Sequence, residues 1–303
     1  MHPGKRVVVG LLLGVGCALA QAPLCAEPVS VRYKEGTSHG FVVVRSVEGK
    51  IIASGDAIQT VSGERVTSQL TLHFKDGSLH EETTEFSQGA VFRLVNDHLR
   101  QEGPSFPKPV DAHIDAANGL VRVREKEGEP QENHLQLPED LANGLLITIL
   151  KNLPEADPDT TVQLVTATSK PRIIKFTIRP QGAAQFSAGG PEHEALRFVG
   201  HTDIGGLAGA VASMIGKQPP DVSFWVVRGR APAFVRFLGP LYEGGPIWSI
   251  ELALRSSLGR HPQKSLTDRG IGRKRRKPRR MSPTLCARCA DTATGGVRLQ
   301  HSL

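Results

Sequence analysis

Hydrophobic and polar residues alternate through much of residues 27–254, the pattern of β-strands with one covered face. Three segments in the first half, SVEGKII, FKDGSL and DAANGLV, place glycine second in a candidate two-residue turn. A glycine in that position between alternating residues is the strongest short-range signal for a hairpin. We therefore predict a series of antiparallel hairpins.

The first of the two hairpins whose pairing can be followed turns at residues 76–77. A two-residue turn there places His73 opposite His80, and Glu82 on the same polar face. The covered face then carries Leu70, Leu72, Phe74 and Leu79.

The second hairpin turns at residues 118–119. A two-residue turn there pairs Asp115 with Arg122, two opposite charges on the exposed face. The covered face then carries Ile114, Ala116, Val121 and Val123.

Two segments break the β pattern and predict helices. The stretch Pro138–Pro154 spaces leucine and isoleucine four residues apart, with acidic residues first and Lys151 last, which favours a helix of about three turns. The stretch IGGLAGAVASMIGKQPPD, residues 204–221, is apolar nearly all round and predicts a buried helix.

Strand-like runs follow between and after these helices, with no repeat of fixed period. They are Val162–Thr168, Arg172–Ile178, Leu196–His201, Phe224–Arg228, Ala233–Leu238 and Ile247–Leu252. We predict a mainly β (α+β) fold, a strongly curved antiparallel sheet or half-barrel with two covering helices and a disordered basic C-terminal tail. The predicted domains are a signal peptide at 1–26, a β-rich domain at 27–254 and the tail at 255–303.

The N-terminus has the three parts of a secretory signal. Lys5 and Arg6 precede the uncharged apolar run Val7–Ala20, and small residues offer cleavage after Ala20 or Ala26. The apolar run is shorter than the roughly 20 residues that span a membrane. These features predict a periplasmic or secreted protein.

The net charge of +7 comes from the ends of the chain. Residues 27–254 carry more acidic than basic residues, whereas RKRRKPRR (273–280) concentrates the basic ones. A nucleic-acid-binding domain spreads its basic residues over a folded face, so we predict no nucleic-acid partner. Three hypotheses remain for the tail: a solvated extension, a peripheral contact with an anionic membrane, or out-of-frame translation of GC-rich DNA.

Candidate chemistry is sparse. No nucleophile elbow, Walker loop, dinucleotide fingerprint or HExxH motif occurs, and the β-rich domain has no cysteine. We expect no cofactor and no metal, although a His73–His80 pair with Glu82 is the best metal candidate. Asp111, His113 and Asp115 alternate on one strand face, which favours a solvated surface over an acid–base site.

Aromatic residues concentrate near the end of the β-rich domain and favour either core packing or an apolar pocket between sheet and helices. The residues predicted to line such a pocket and to bind its ligand are Leu145, Ile149, Val211, Ile215, Trp225 and Trp248.

The stretches LPEDLANGLL, TSKPRIIKF, GKQPPDVSFWV and APAFVRFLGPLYEGGPIWSIEL resemble blocks of uncharacterised secreted proteins of Gram-negative bacteria. The whole arrangement is similar to the periplasmic lipoprotein-carrier-like half-barrel families. The resemblance implies a fold and a compartment, and no catalytic residue.

The sequence favours a non-enzymatic periplasmic protein that binds a lipid-like or other apolar envelope ligand. One alternative is a metal-dependent or hydrolytic enzyme that uses the histidine face. Another is a structural module that binds an envelope protein through exposed strand edges.

Overall fold

The structure, a computed structural model, describes residues 28–125, 128–155, 158–186, 193–204 and 218–253. The chain divides into two units, Met1–Gly259 and Arg260–Leu303, and all described residues belong to the first. The described elements are one α-helix, α1 (Leu146–Asn152), and fourteen strands. The strands are β1 (Ser38–Arg45), β2 (Ile51–Ser62), β3 (Arg65–Phe74), β4 (Leu79–Gln88), β5 (Phe92–Glu102), β6 (Val110–Asp115), β7 (Leu120–Arg124), β8 (Gln131–His134), β9 (Thr160–Val165), β10 (Ile173–Phe186), β11 (His193–Asp203), β12 (Val222–Val227), β13 (Ala233–Gly239) and β14 (Trp248–Leu252).

All fourteen strands form one open antiparallel sheet, which confirms the mainly β prediction. The strand order is β8-β7-β6-β5-β4-β3-β2-β1-β14-β13-β12-β11-β10-β9. The chain therefore forms two meanders, β1–β8 and β9–β14, which join where the last strand pairs with the first. In that junction Val42 lies opposite Leu252 and Val44 opposite Ile250. The six strands predicted in the second half of the domain are present as β9–β14.

The hairpin between β3 and β4 has a different register from the predicted one. Leu72, not His73, lies opposite His80, and His73 lies opposite Leu79. The loop has three residues, because Gly77 N donates to Phe74 O and Phe74 N donates to Ser78 O. A type I turn followed by a left-handed glycine makes this loop, and Gly77 has φ +88°. The prediction was wrong by one residue, which moves His80 and Glu82 to the covered face.

The hairpin between β6 and β7 is also shifted. Asp115 lies opposite Leu120 and His113 opposite Arg122, so the predicted Asp115–Arg122 pair does not form. The shift here is two residues, and each side chain keeps its face. Ile114, Val121 and Val123 are buried as expected.

The first predicted helix is shorter than expected. Only Leu146–Asn152 is helical, and Gly144 has φ +64° just before it. Asn143 uses its side chain to pair with β9: its Nδ2 donates to Val165 O and its Oδ1 accepts from Val165 N. These bonds hold the turn before α1 against the edge of β9.

The second predicted helix, residues 204–221, falls almost wholly outside the described residues. The two covering helices of the prediction are therefore not supported, and α1 is the one helix in the described ranges. Within those ranges, no helix is long and apolar enough to span a membrane.

One face of the sheet carries most of the core, and we call it the inner face. The main core cluster joins inner-face residues of β3–β7 and β9–β12 through α1, and it includes Phe86, Ile149 and Phe198. A second cluster combines β1–β3 with β14 and centres on Phe74, Phe106 and Trp248. The two clusters share strand β3, where Val66 belongs to the first and Leu72 and Phe74 belong to the second, and the candidate site includes Leu70 between them.

Candidate functional site

Four side chains form a row across the inner face, and we call their surroundings the inner-face recess. Ala57 of β2 lies opposite Leu70 of β3, Leu70 opposite Glu82 of β4, and Glu82 opposite Leu99 of β5. All four share the inner face because they alternate with outward residues in the register of Leu72 and Phe86. The row thus places one carboxyl among three apolar side chains.

Every member of this row is only half-buried, and fully buried residues flank it on β4 and β5. On β4 the preceding and following inner-face residues, His80 and Thr84, are buried. On β5 the residues on either side of Leu99, which are Asp97 and Gln101, are buried as well. Ala57 and Leu70 also pack against the second core cluster. The surface that the four side chains keep accessible is the part of this row that a ligand could contact.

The environment of Glu82 favours its neutral form. Its side chain keeps some accessible surface, yet surrounding protein removes enough water that burial raises its pKa to about 8. The negative charge of Asp97 raises the pKa of Glu82 further. At neutral pH Glu82 is therefore a hydroxyl donor, not an anion.

Asp97 is a buried carboxyl in the flanking row nearer the main core cluster. Burial raises its pKa, while a hydrogen bond from Thr84 Oγ1 to its Oδ1, at 2.8 Å, acts in the opposite direction. Gly144 passes directly over this pair: a Cβ there would lie 1.9 Å from Thr84 Oγ1 and 2.7 Å from Asp97 Oδ1. The left-handed glycine lets the loop before α1 close that side of the recess.

His80 and Gln101 close the opposite side. Gln101 Nε2 donates to His80 Nδ1 at 3.0 Å and to Leu241 O at 2.8 Å. Accepting at Nδ1 requires a neutral imidazole with its proton on Nε2. Burial lowers the pKa of His80 to about 4, in agreement with that tautomer.

The structure does not bring the four described members of the predicted ligand set together in one site. Leu145 and Ile149, 1% and 4% exposed, pack in the main core cluster, and Trp248, 6% exposed, packs in the second. Trp225 lies on the other face of the sheet, between the guanidinium groups of Arg197 and Arg236 at 5.4 and 5.1 Å from its ring centre. Val211 and Ile215 lie outside the described residues.

The register of β3 and β4 separates the two histidines that the sequence offered as the best metal candidate. His73 is exposed on the outer face and His80 is buried on the inner face, so their imidazoles point to opposite sides of the sheet. In the described ranges, no group of three or more His, Cys, Asp or Glu residues is placed to hold a metal ion.

Asp111, His113 and Asp115 lie on the outer face, as their alternation predicted. Asp111 accepts from His98 Nε2 at 2.8 Å and forms an ion pair with Arg124. The hydrogen bonds and charges of His98 and Arg124 lower the pKa of Asp111 against the effect of burial. These contacts join β5, β6 and β7, and we regard them as structural.

Sequence reasoning missed the recess because the β4 segment that contains Glu82 is almost entirely polar and does not show which of its faces is covered. The segment HEETTEFSQ alternates so that Phe86, the one apolar residue, shares its face with His80, Glu82 and Thr84. The buried position of Phe86 was the available signal: counting back in steps of two from Phe86 places Glu82 inside.

Comparison with solved structures found the crystal structure of a β-barrel-like protein of DUF1849, a domain of unknown function, from Brucella abortus. The sequences are 10% identical, the TM-score is 0.43, and the match covers 73% of this chain and 97% of that chain. No protein-family model matches the sequence, and no curated protein matches it. The comparisons therefore provide one distant structural likeness and assign neither a family nor an activity.

Proposed function

We propose that the protein is a non-enzymatic periplasmic protein that binds a lipid-like or other apolar envelope ligand in the inner-face recess. The observation that carries the proposal is the half-buried row of Ala57, Leu70, Glu82 and Leu99, flanked on β4 and β5 by fully buried residues. Concave, mostly apolar surfaces with a few placed polar groups are the usual form of small-molecule sites.

The chemistry of the row suits a ligand with an apolar chain and a neutral hydrogen-bonding group. Leu70 and Leu99 flank Glu82 on the neighbouring strands and offer apolar contact on both sides. Protonated Glu82 donates a hydrogen bond without the cost of burying a charge. A ligand hydroxyl, ester or amide oxygen would accept that bond.

Two observations argue against the alternative functions. The metal or hydrolytic alternative depended on a His73–His80 pair, and those residues lie on opposite faces. The partner-binding alternative depended on open strand edges, but the edge strand β9 receives hydrogen bonds from the preceding loop: Ala142 N donates to Gln163 O. The other edge strand, β8, has four residues and is polar.

Filling the recess tests the proposal. Leu70→Trp places a larger side chain in the recess, whereas the matched control Ile58→Trp adds the same side chain to the outer face at a position that is 38% exposed. The probe is N-phenyl-1-naphthylamine, a neutral apolar dye whose fluorescence rises in apolar surroundings. We expect the parent and Ile58→Trp to bind it alike and Leu70→Trp to bind about tenfold more weakly or worse, equivalent to about 1.4 kcal/mol.

Equal binding by both variants would contradict the proposal, as would a parent protein that does not bind the dye. Circular dichroism and thermal unfolding of each variant ensure that a loss of binding is not a loss of fold.

A further inference from the structure

A cavity lined by other residues than the inner-face recess has a different chemistry. It has a volume of about 370 Å³ and is lined by residues 32–36, Lys151 of α1 and residues 230–232 of the loop between β12 and β13. This volume falls within the range of about 300–1,000 Å³ that small-molecule sites occupy. We call it the basic pocket.

The basic pocket carries an excess of positive charge. Arg32, Lys34, Lys151 and Arg230 line it with a single carboxylate, that of Glu35. Lys151 Nζ lies 2.5 Å from Glu35 Oε1, and both side chains are largely buried, at 14% and 8% exposed. Throughout the described ranges no carboxylate pairs with Arg32, Lys34 or Arg230. Three exposed cations therefore face the pocket without a counter-ion among the described residues.

Buried side chains hold one wall of the pocket in place. Asn152 Oδ1 accepts from the backbone N–H groups of Arg32 and Tyr33 at 2.8 and 2.7 Å. Gln88 Oε1 accepts from Glu35 N at 2.6 Å, and its Nε2 donates to Glu35 O at 3.1 Å. Asn152 and Gln88 are 1% and 2% exposed. The backbone that presents Arg32 and Lys34 is therefore fixed before any ligand binds, which lowers the entropy cost of binding.

We propose that the basic pocket binds the phosphate group of a phosphate ester. Guanidinium groups match phosphate oxygens in a bidentate fork, and lysine adds a point charge. The pocket holds both kinds of cation, and its volume leaves room for the esterified group as well as for the phosphate. The ester is either a small soluble molecule or the headgroup of a phospholipid, and both present the same group to Arg32, Lys34 and Arg230.

Removing the three cations tests this inference in the full chain. The variant Arg32→Gln/Lys34→Gln/Arg230→Gln is compared with Lys75→Gln/Lys108→Gln/Lys170→Gln, which removes the same charge from exposed sites outside the pocket. The soluble probe is glycerol 3-phosphate, titrated by calorimetry at constant ionic strength. The membrane probe is vesicles of phosphatidylglycerol in phosphatidylcholine, with pure phosphatidylcholine for reference.

We expect the pocket variant to lose at least about tenfold in affinity, because it removes the charge-assisted hydrogen bonds that the three cations make to the phosphate. The control variant should stay within about twofold of the parent. The matched control also separates the pocket from the basic tail, which both variants retain.

The pattern of loss identifies the source of the phosphate. A selective loss for glycerol 3-phosphate supports a soluble ester, a selective loss for vesicles supports a lipid headgroup, and a loss for both supports a site that reads the phosphate alone. Equal affinities of the pocket and control variants for both probes would overturn the inference, as would a parent that binds neither.

Discussion

Glu82 occupies a strand position that a leucine or valine would fill in an ordinary core. Its neighbours across the sheet are Leu70 and Leu99, and the charge of Asp97 lies close enough to oppose its ionisation. Ionised carboxylates are costly in such surroundings unless they are paired. Protonation of Glu82 avoids this cost. The neutral carboxyl is also the form that suits an apolar ligand.

The first prediction concerns the pH dependence of stability. Burial raises the pKa of Glu82 from 4.5 to about 8, so between these values the folded state holds a proton that the unfolded state has released. Stability therefore falls as pH rises through this window. Glu82→Gln cannot release a proton and should be more stable than the parent at pH 8 by at least about 1 kcal/mol, with little difference near pH 5.

Urea unfolding at pH 5 and pH 8 measures this difference. Glu81→Gln is the matched control, since it removes a carboxylate from the outer face of the same strand. A parent whose stability rises between pH 5 and 8 as that of Glu82→Gln does would show that Glu82 is ionised in the fold.

At the scale of elements, loops decide how the strands pair and where the recess ends. The turn at residues 75–77 has three residues where the sequence suggested two, and that single residue moves His80 and Glu82 to the inner face. The glycine signal was sound, since Gly77 is left-handed. The same residues serve a two-residue turn and a type I turn with a bulge, so turn composition alone could not set the register.

The second prediction concerns the loop before α1. Gly144 is left-handed and lies against Thr84 and Asp97, where a Cβ would meet Thr84 Oγ1 at 1.9 Å. Gly144→Ala should cost about 3 kcal/mol of folding stability, the sum of left-handed strain of about 1–2 kcal/mol and overpacking of about 1–3 kcal/mol.

Gly63→Ala separates the two contributions. Gly63 has φ +60° with nothing within 4 Å of its would-be Cβ, so its substitution carries the backbone strain alone. Denaturant unfolding should place Gly63→Ala between the parent and Gly144→Ala. Equal losses in both variants would show that the loop does not press on the Thr84–Asp97 pair.

At the scale of the whole molecule, the sheet depends on contacts between the two ends of the domain. β14 lies between β1 and β13, and the second core cluster combines Val42, Val44 and Phe74 with Trp248 and Ile250. The strand β8 is polar and was not predicted, but β9–β14 could be predicted from their own alternation and overlap the predicted runs. The pairing of β14 with β1 could not, because residues some 200 positions apart leave no local pattern.

For the candidate site, too, local sequence patterns predict which side chains are covered but not which of them pack together. The sequence predicted an apolar pocket lined in part by Leu145 and Trp248, and both side chains are buried. It could not show that these two side chains pack into separate clusters while Leu70, Glu82 and Leu99 stay half-buried between them. That distinction depends on which strands share a cluster, and the sheet order decides it.

Native mass spectrometry tests the central claim, binding of an apolar ligand in the inner-face recess, most directly. The full chain is expressed in a Gram-negative host and purified from the envelope without detergent. We predict a noncovalent adduct with the mass of a lipid or similar apolar molecule, retained by Ile58→Trp and lost by Leu70→Trp. A ligand-free mass for the parent, or an adduct that Leu70→Trp retains, would contradict the account.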